Sequence, residues 1–468
     1  MLFNSLEFLL FFGIVTIVYF LLRPKFRWIM LLFASYSFYM YWRYEYIVLI
    51  IFSTIIDYFC GLRMSSKERK SDRLPYLLLS CSSNIGLLFI FKYLDFFTLS
   101  INDLFGVSLP LADLILPMGI SFYTFQTLSY SIDLYKGKLK AEPHLGKFAL
   151  YVSFFPQLVA GPIERASRLL PQLKKNDNKL TYDNFVSGST QMFFGFFKKV
   201  VIADNISLYV ENIYGAYELH TGFTLLFATY LFAIQIYCDF SGYSDIAIGC
   251  AKILGYDLIE NFKQPYFAKS VTEFWRRWHI SLSTWLRDYL YIPLGGNRKK
   301  TLFTYRNLML TMLIGGLWHG AAWNFVIWGF LNGLYLSFEK KINYHDFIER
   351  QSKLVKCSSS IITFHLICLT WVFFRAETFK QAIGIIDRIF MTEYFFNLRI
   401  IDTSIFATIV LSTCILLCLE IFVVKNKDIK NVSLRLNTYV LMLLKVSLFF
   451  LILLLGISDG SQFIYFQF

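Results

Sequence analysis

The sequence predicts an all-α fold, a polytopic transmembrane bundle of about ten spans with re-entrant or interfacial helices between them. Three observations carry that expectation. Hydrophobic residues make up 56% of the 468 positions and charged residues 16%, and the mean hydropathy is +0.52, outside the range of water-soluble globules. Apolar runs of bilayer length recur from one end of the chain to the other, and a backbone in hydrocarbon must satisfy its own hydrogen bonds, which long helices do. Lysines and arginines gather in alternate loops, as orientation in a membrane requires. No repeat, linker or composition change divides the chain, so residues 1–468 are expected to form a single membrane domain.

Taken in order, a first run of 6–22 is followed by Arg23, Lys25 and Arg27, and a third of 46–62 by Arg63, Lys67, Arg69, Lys70 and Arg73. Both loops are therefore cytoplasmic and the N-terminus lies outside; 28–42 returns between them. The first run lacks a basic leader and a cleavage site and is expected to be retained. A fourth run, 75–94, leads to a loop bearing Asp95, Asp103 and Asp113, and a fifth, 114–134, returns to Lys136, Lys138 and Lys140. Residues 148–163, broken by Pro156 and Pro162, are too short to cross and predict a re-entrant or surface-lying segment. A crossing follows around 188–203, then a run from Gly222 that carries Asp239 and Asp245, then the basic stretch 263–306. Runs at 361–374, 404–424 and 439–456 complete the bundle and leave the C-terminus outside.

The formal charge of +13 fits cytoplasmic loops facing anionic membrane lipid and an anionic co-substrate; no nucleic acid partner is expected. Eight cysteines are scattered through the chain with no Cys-x-x-Cys pair and no histidine at zinc spacing. Neither a metal site nor a disulfide framework is indicated.

The stretch Ile314-Gly-Gly-Leu-Trp-His-Gly-Ala-Ala-Trp323 puts an imidazole, His319, in the middle of an apolar run from Leu308 to Phe338 without formal charge. As one helix that run would span about 46 Å, longer than a bilayer core, so a bend or break near Gly315, Gly316 and Gly320 is expected. The glycines let another backbone or a thin substrate come close. A neutral histidine bonded between helices is the bland account of His319, yet an ionisable group inside a span is a functional candidate by default. An imidazole can take the proton of a hydroxyl as its oxygen attacks a carbonyl. No Gly-x-Ser-x-Gly elbow or neighbouring cysteine suggests a covalent route.

Residues 274–289, placed on a helix at about 100° per residue, put Phe274, Trp275, Trp278, Leu282, Trp285, Leu286 and Tyr289 in one sector of roughly 120°. Arg276, Arg277 and Arg287 fall opposite, and His279 lies at the boundary. Such a helix lies in the interface as a lipid anchor, or it presents a seat for the phosphates of a cytosolic co-substrate together with Arg298, Lys299 and Lys300; spacing leaves both open. His144, His220 and His345 fall in polar loops and read as solvated, and His365 as a packing residue. Asp239 and Asp245 either orient a base and line a water path or cap broken helix ends.

These segments together resemble the membrane-bound O-acyltransferase family, in particular its bacterial alginate O-acetylation branch. The resemblance rests on Ser121-Phe-Tyr-Thr-Phe-Gln126, Phe154 to Ile163, Tyr237 to Ala247, Glu273 to His279 running on to Asn297, Gly316 to Trp323, and Phe463-Ile-Tyr-Phe-Gln-Phe468. It implies a helical bundle with a central tunnel in the bacterial inner membrane, crossed many times by the chain. It implies acetyl transfer from cytosolic acetyl-CoA to an exported polysaccharide, directly or through an extracytoplasmic SGNH-like acetyltransferase partner. His319 would be the catalytic base, His279 would assist by hydrogen bonding or proton relay, and Arg276, Arg277 and Arg287 would bind the donor. A sister branch that D-alanylates teichoic acid, a transporter of acetyl groups or glycan without chemistry of its own, and a structural subunit recruiting the partner are the alternatives.

Overall fold

The computed structural model describes residues 1–159, 161–175, 177–298, 300–391, 403–426, 437–457 and 463–464, and every regular element among them is helical. By its internal contacts the chain forms two units, Met1–Ser189 with Ala247–Ile259, and Thr190–Ile246 with Glu260–Phe468. Among the described residues four helical stretches are long and apolar enough to cross a membrane: Tyr44–Ser65, Lys70–Phe105, Gly222–Ile253 and Lys353–Arg375. Shorter apolar helices lie at Leu6–Leu21, Phe406–Ile421 and Tyr439–Leu455.

In the first unit, helix α1 (Leu6–Leu21) starts on Ser5, whose hydroxyl accepts the Phe8 N–H at 3.2 Å. Pro24, which cannot donate to a preceding turn but suits a first one, opens α2 (Pro24–Met40). Helix α3 (Ile47–Ser65) and α4 (Lys70–Leu88) follow, and α4 runs through a π turn at Phe89–Tyr93 into α5 (Leu94–Phe105). The sequence ends this crossing at Leu94. Instead the 36 residues continue as helix, about 54 Å of it, until Gly106 at φ 63° stops it in the left-handed region. The Asp95 carboxylate then accepts the Ala112 and Asp113 N–H groups at 2.8 and 3.0 Å, tying the return segment to α5. Helix α6 (Ile120–Tyr135) is almost wholly buried. The Pro-broken segment forms α7 (Leu145–Ser153) and the single turn α8 (Phe155–Leu158), parted at Phe154, and residues 148–159 are all buried, so it does not lie on a surface. Helix α9 (Ala166–Lys175) ends this set. Between α3, α4 and α6 the buried Asp57 carboxylate accepts Ser80 Oγ at 2.6 Å and Asn84 Nδ2 at 2.9 Å, a polar cross-link that the apolar pattern of these helices concealed.

The chain enters the second unit along α10 (Tyr182–Phe196), which passes through a π turn at Phe197–Ala203 into α11 (Asp204–Gly215). Helix α12 (Gly222–Ile253) is 32 residues long and unbroken, so Asp239 and Asp245 sit mid-helix and cap no helix end. They meet the π turn: Lys199 Nζ lies 2.8 Å from both Asp204 and Asp239, and Lys198 Nζ lies 3.1 Å from Asp245 and 3.4 Å from Glu420. Gly195 and Gly242 let the two helices touch; a Cβ on Gly195 would fall 2.6 Å from the Gly242 carbonyl.

The amphipathic stretch is not one helix. It forms α13 (Val271–Arg277) and α14 (Ile280–Leu286), separated at His279 in the left-handed region (φ 43°), and ends in a π turn at Arg287–Tyr291. The apolar run around His319 forms a hairpin of α15 (Thr301–His319) and α16 (Trp323–Lys341). The break falls at Gly320, whereas Gly315 and Gly316 stay helical. Their role is close approach: a Cβ on Gly316 would lie 2.2 Å from the Phe325 carbonyl oxygen and 3.3 Å from Gly329 Cα. Gly316→Ala is expected to destabilise the fold by about 1–3 kcal/mol, because backbone and not a flexible side chain must give way; a thermal melt of detergent-solubilised protein measures it. Helices α17 (Tyr344–Glu349), α18 (Lys353–Arg375), α19 (Phe379–Met391), α20 (Thr403–Asn426) and α21 (Thr438–Leu455) complete the unit. Of the terminal motif, residues 465–468 lie outside the described residues, as does Lys299 of the basic seat.

Candidate active site

His279 and His319, forty positions apart in sequence, come together in the second unit with ring centroids 6.4 Å apart. His319 closes α15 as its last residue, is 3% exposed, and stands in an aromatic box. Trp318 and Trp328 lie at 5.0 Å and Phe374 at 5.4 Å, all near edge-on to its ring. The edge of each aromatic ring carries partial positive charge and its face partial negative charge, so such a box fixes the tilt of an imidazole.

His279 is held by the break that sequence periodicity missed. Its Nδ1 is 3.2 Å from Asn261 Oδ1, an oxygen that also accepts Ser281 Oγ at 2.9 Å. The Asn261 side-chain amide donates to Ser244 Oγ at 3.2 Å, and the backbone carbonyl of Asn261 accepts the Ile280 N–H at 2.9 Å. Because Asn261 Oδ1 can only accept, His279 is the Nδ1–H tautomer. Phe240 meets its ring edge-on at 4.6 Å. Complete burial, opposed only by a backbone hydrogen bond, pushes the imidazolium down to about 3, so the ring is neutral at physiological pH. It is suited to orienting a neighbour and unsuited to holding a proton. Asn261→Ala is expected to remove about 1–3 kcal/mol of stability, since it strands the His279 Nδ1–H and both the hydroxyl and the backbone N–H of Ser281; the unfolding transition of the purified variant reports it.

A cavity of about 670 Å³ reaches His319 and Trp328 at one part of its wall. Elsewhere it is lined by Arg276, Arg287, Lys340 and His345. Arg276 Nη1 donates to His345 Nε2 at 3.0 Å, and His345 Nδ1 is 3.3 Å from Ser270 Oγ, the N-cap of α13. His345 is therefore a participant and not a solvated loop residue. The spacing gave no sign of it, because α17 folds back on α13 only in three dimensions. Arg287 donates from Nε to Asp288 at 2.8 Å. Arg277 is not part of this wall; it pairs with Glu273 within its own helix. Glu339 fixes the start of α13, accepting the Val271 and Thr272 N–H groups at 2.6 and 2.8 Å. A carboxylate on a helix N-terminus is well placed against its partial positive charge. Among the described residues no group of three or more His, Cys, Asp or Glu side chains is arranged to hold a metal ion.

Residues 138–374 match the model of the membrane-bound O-acyltransferase family. That range contains both buried histidines, the whole cavity wall and the α15–α16 hairpin. The chain belongs to the membrane-bound O-acyltransferase family. A probable alginate O-acetylase of Pseudomonas aeruginosa is 43% identical to this acyltransferase over 390 residues, 82% of this chain and 73% of that protein. A peptidoglycan O-acetyltransferase of Helicobacter pylori is 35% identical over 95% of this chain and 92% of its own length. A teichoic acid D-alanyltransferase of Bacillus subtilis is 29% identical over 58% of this chain. The acyltransferase is thus an enzyme of the membrane, with an all-helical fold.

Proposed function

We propose that this acyltransferase moves acetyl from cytosolic acetyl-CoA to an exported polysaccharide, directly or through an extracytoplasmic SGNH-like partner, across a bacterial inner membrane. The cavity that joins His319 to Arg276, Arg287, Lys340 and His345 is the observation that carries this reading. It offers a base at one part and phosphate-binding cations at another, the two needs of a thioester donor with a nucleotide handle. The cavity would be part of a central tunnel through a single domain of about ten spans. The relatives named for O-acetylation cover most of this chain and support acetyl as the cargo. Their names differ in glycan, so the acceptor is left as an exported polysaccharide without a named sugar.

The donor supplies an acetyl thioester. His319 takes the proton of an acceptor hydroxyl as that oxygen bonds to the acetyl carbon; the carbon–sulfur bond breaks and the departing thiolate receives the proton. His279, neutral and fixed by Asn261, keeps the space beside His319 in shape. Arg276 and Arg287 hold donor phosphates; Arg277 is engaged with Glu273 and would contribute through the geometry of α13.

His345→Ala removes the acceptor that aims the Arg276 guanidinium and is expected to raise the donor KM about fivefold, the equivalent of about 1 kcal/mol, with kcat unchanged. Initial rates of CoA release against acetyl-CoA concentration measure both constants. A D-alanyl donor on a carrier protein would instead show no saturation by acetyl-CoA, and a transporter would release no CoA at all.

A further inference from the structure

A second groove, of about 720 Å³, lies on the α15–α16 hairpin. It is built from a stripe of α16 at helical spacing, Leu334, Ser337, Phe338 and Lys341, and from the first two turns of α15, where Leu302, Phe303, Arg306 and Met309 face it. None of these residues lines the cavity that contains His319. Its walls are apolar and open: Leu302 is 77% exposed and Phe338 62% exposed. Two cations, Arg306 and Lys341, line it. The Arg306 guanidinium lies 4.9 Å over the Phe303 ring and bonds Asn307 Oδ1 through Nε and Nη2 at 3.3 and 2.9 Å. Lys341 ends α16. Among the described residues neither makes a salt bridge. Ser337 Oγ, in the groove wall, is buried without a hydrogen-bond partner.

We propose that this groove binds one anionic phospholipid, its acyl chain along Leu302, Phe303, Met309, Leu334 and Phe338 and its phosphate between Arg306 and Lys341. Charge complementarity decides the headgroup: two cations without a carboxylate attract an anion, and each is worth about a factor of five in affinity for an anionic lipid. The apolar walls decide that the anion is a lipid, because a free phosphate would leave Leu302 and Phe338 bare. A lipid ester carbonyl also gives Ser337 the acceptor it lacks, after a rotation about χ1. The lipid would brace the same hairpin whose other end presents His319. The site stands on the hairpin alone and does not depend on which acyl donor or acceptor the enzyme uses.

The test is native mass spectrometry of the full-length protein in detergent, titrated with phosphatidylglycerol or with phosphatidylcholine of the same chains. One phosphatidylglycerol is expected to stay bound under conditions that strip phosphatidylcholine. Arg306→Gln with Lys341→Gln should weaken its binding about 30-fold, and Leu334→Trp, which fills the groove and keeps the cations, should weaken it as well. Thermal melts in phosphatidylcholine establish that both variants are folded. Equal retention of the two lipids by the wild type, or undiminished phosphatidylglycerol binding by the folded variants, overturns the proposal.

Discussion

His319→Ala is expected to lower acetyl transfer by about 10²–10⁴-fold, the usual contribution of a positioned general base. The side chain stands among Trp318, Trp328 and Phe374, so alanine also opens a void in that aromatic box and costs stability. His319→Gln separates the two effects. Glutamine fills most of the space and can hydrogen-bond, but it has no basic nitrogen to take a proton. Both variants should insert into the membrane and both should be inactive, with donor affinity retained because Arg276, Arg287 and His345 are untouched. Acetylated glycan is read by mass spectrometry of the polysaccharide fraction, normalised to protein in the membrane. If His319→Gln keeps a tenth or more of wild-type activity, His319 is not the base.

The second large effect concerns stability. Lys199 lies 2.8 Å from both Asp204 and Asp239, all three buried, and Asp239 also accepts the Ile464 N–H at 2.7 Å. Lys199→Met removes the cation and leaves two carboxylates buried, which is expected to cost about 3–5 kcal/mol. Breaking one side of a buried pair is far costlier than replacing the whole of it by apolar groups. Lys199→Met combined with Asp204→Leu and Asp239→Leu should therefore recover a large part of the loss. Fluorescence-detected size exclusion after heating gives the ranking; a triple variant no better than the single one would show that the cluster has another role than charge balance.

The all-helical fold and the places of the long apolar helices among the described residues were legible, because hydrophobic length follows from hydrocarbon thickness. The break at Gly320 was legible from its glycines, whereas the one at His279 was not. A 100° periodicity fits 274–289 as one helix, yet His279 takes a left-handed conformation there because Asn261, eighteen residues upstream, accepts its Nδ1–H and the Ser281 hydroxyl. No local pattern announces an acceptor that far away. The same holds for His345, which looks like a polar loop residue until α17 returns it to Arg276. Asp239 and Asp245 were legible as buried carboxylates, but their partners, Lys198 and Lys199, lie on a π turn that composition does not mark. His319 stood out because a lone imidazole in a long uncharged run needs a reason, and the family resemblance supplied one.

As the proposed base, His319 would take the acceptor's proton while acetyl passes from acetyl-CoA to the acceptor oxygen. The most direct measurement is a single-turnover reaction of purified protein with acetyl-labelled acetyl-CoA and an acceptor glycan, with the extracytoplasmic partner added in parallel, comparing wild type with His319→Gln. Free CoA and labelled product should appear together with the wild type and fall at least about 100-fold with the variant. Equal CoA release and product formation by the two proteins would contradict a role for His319 as the base.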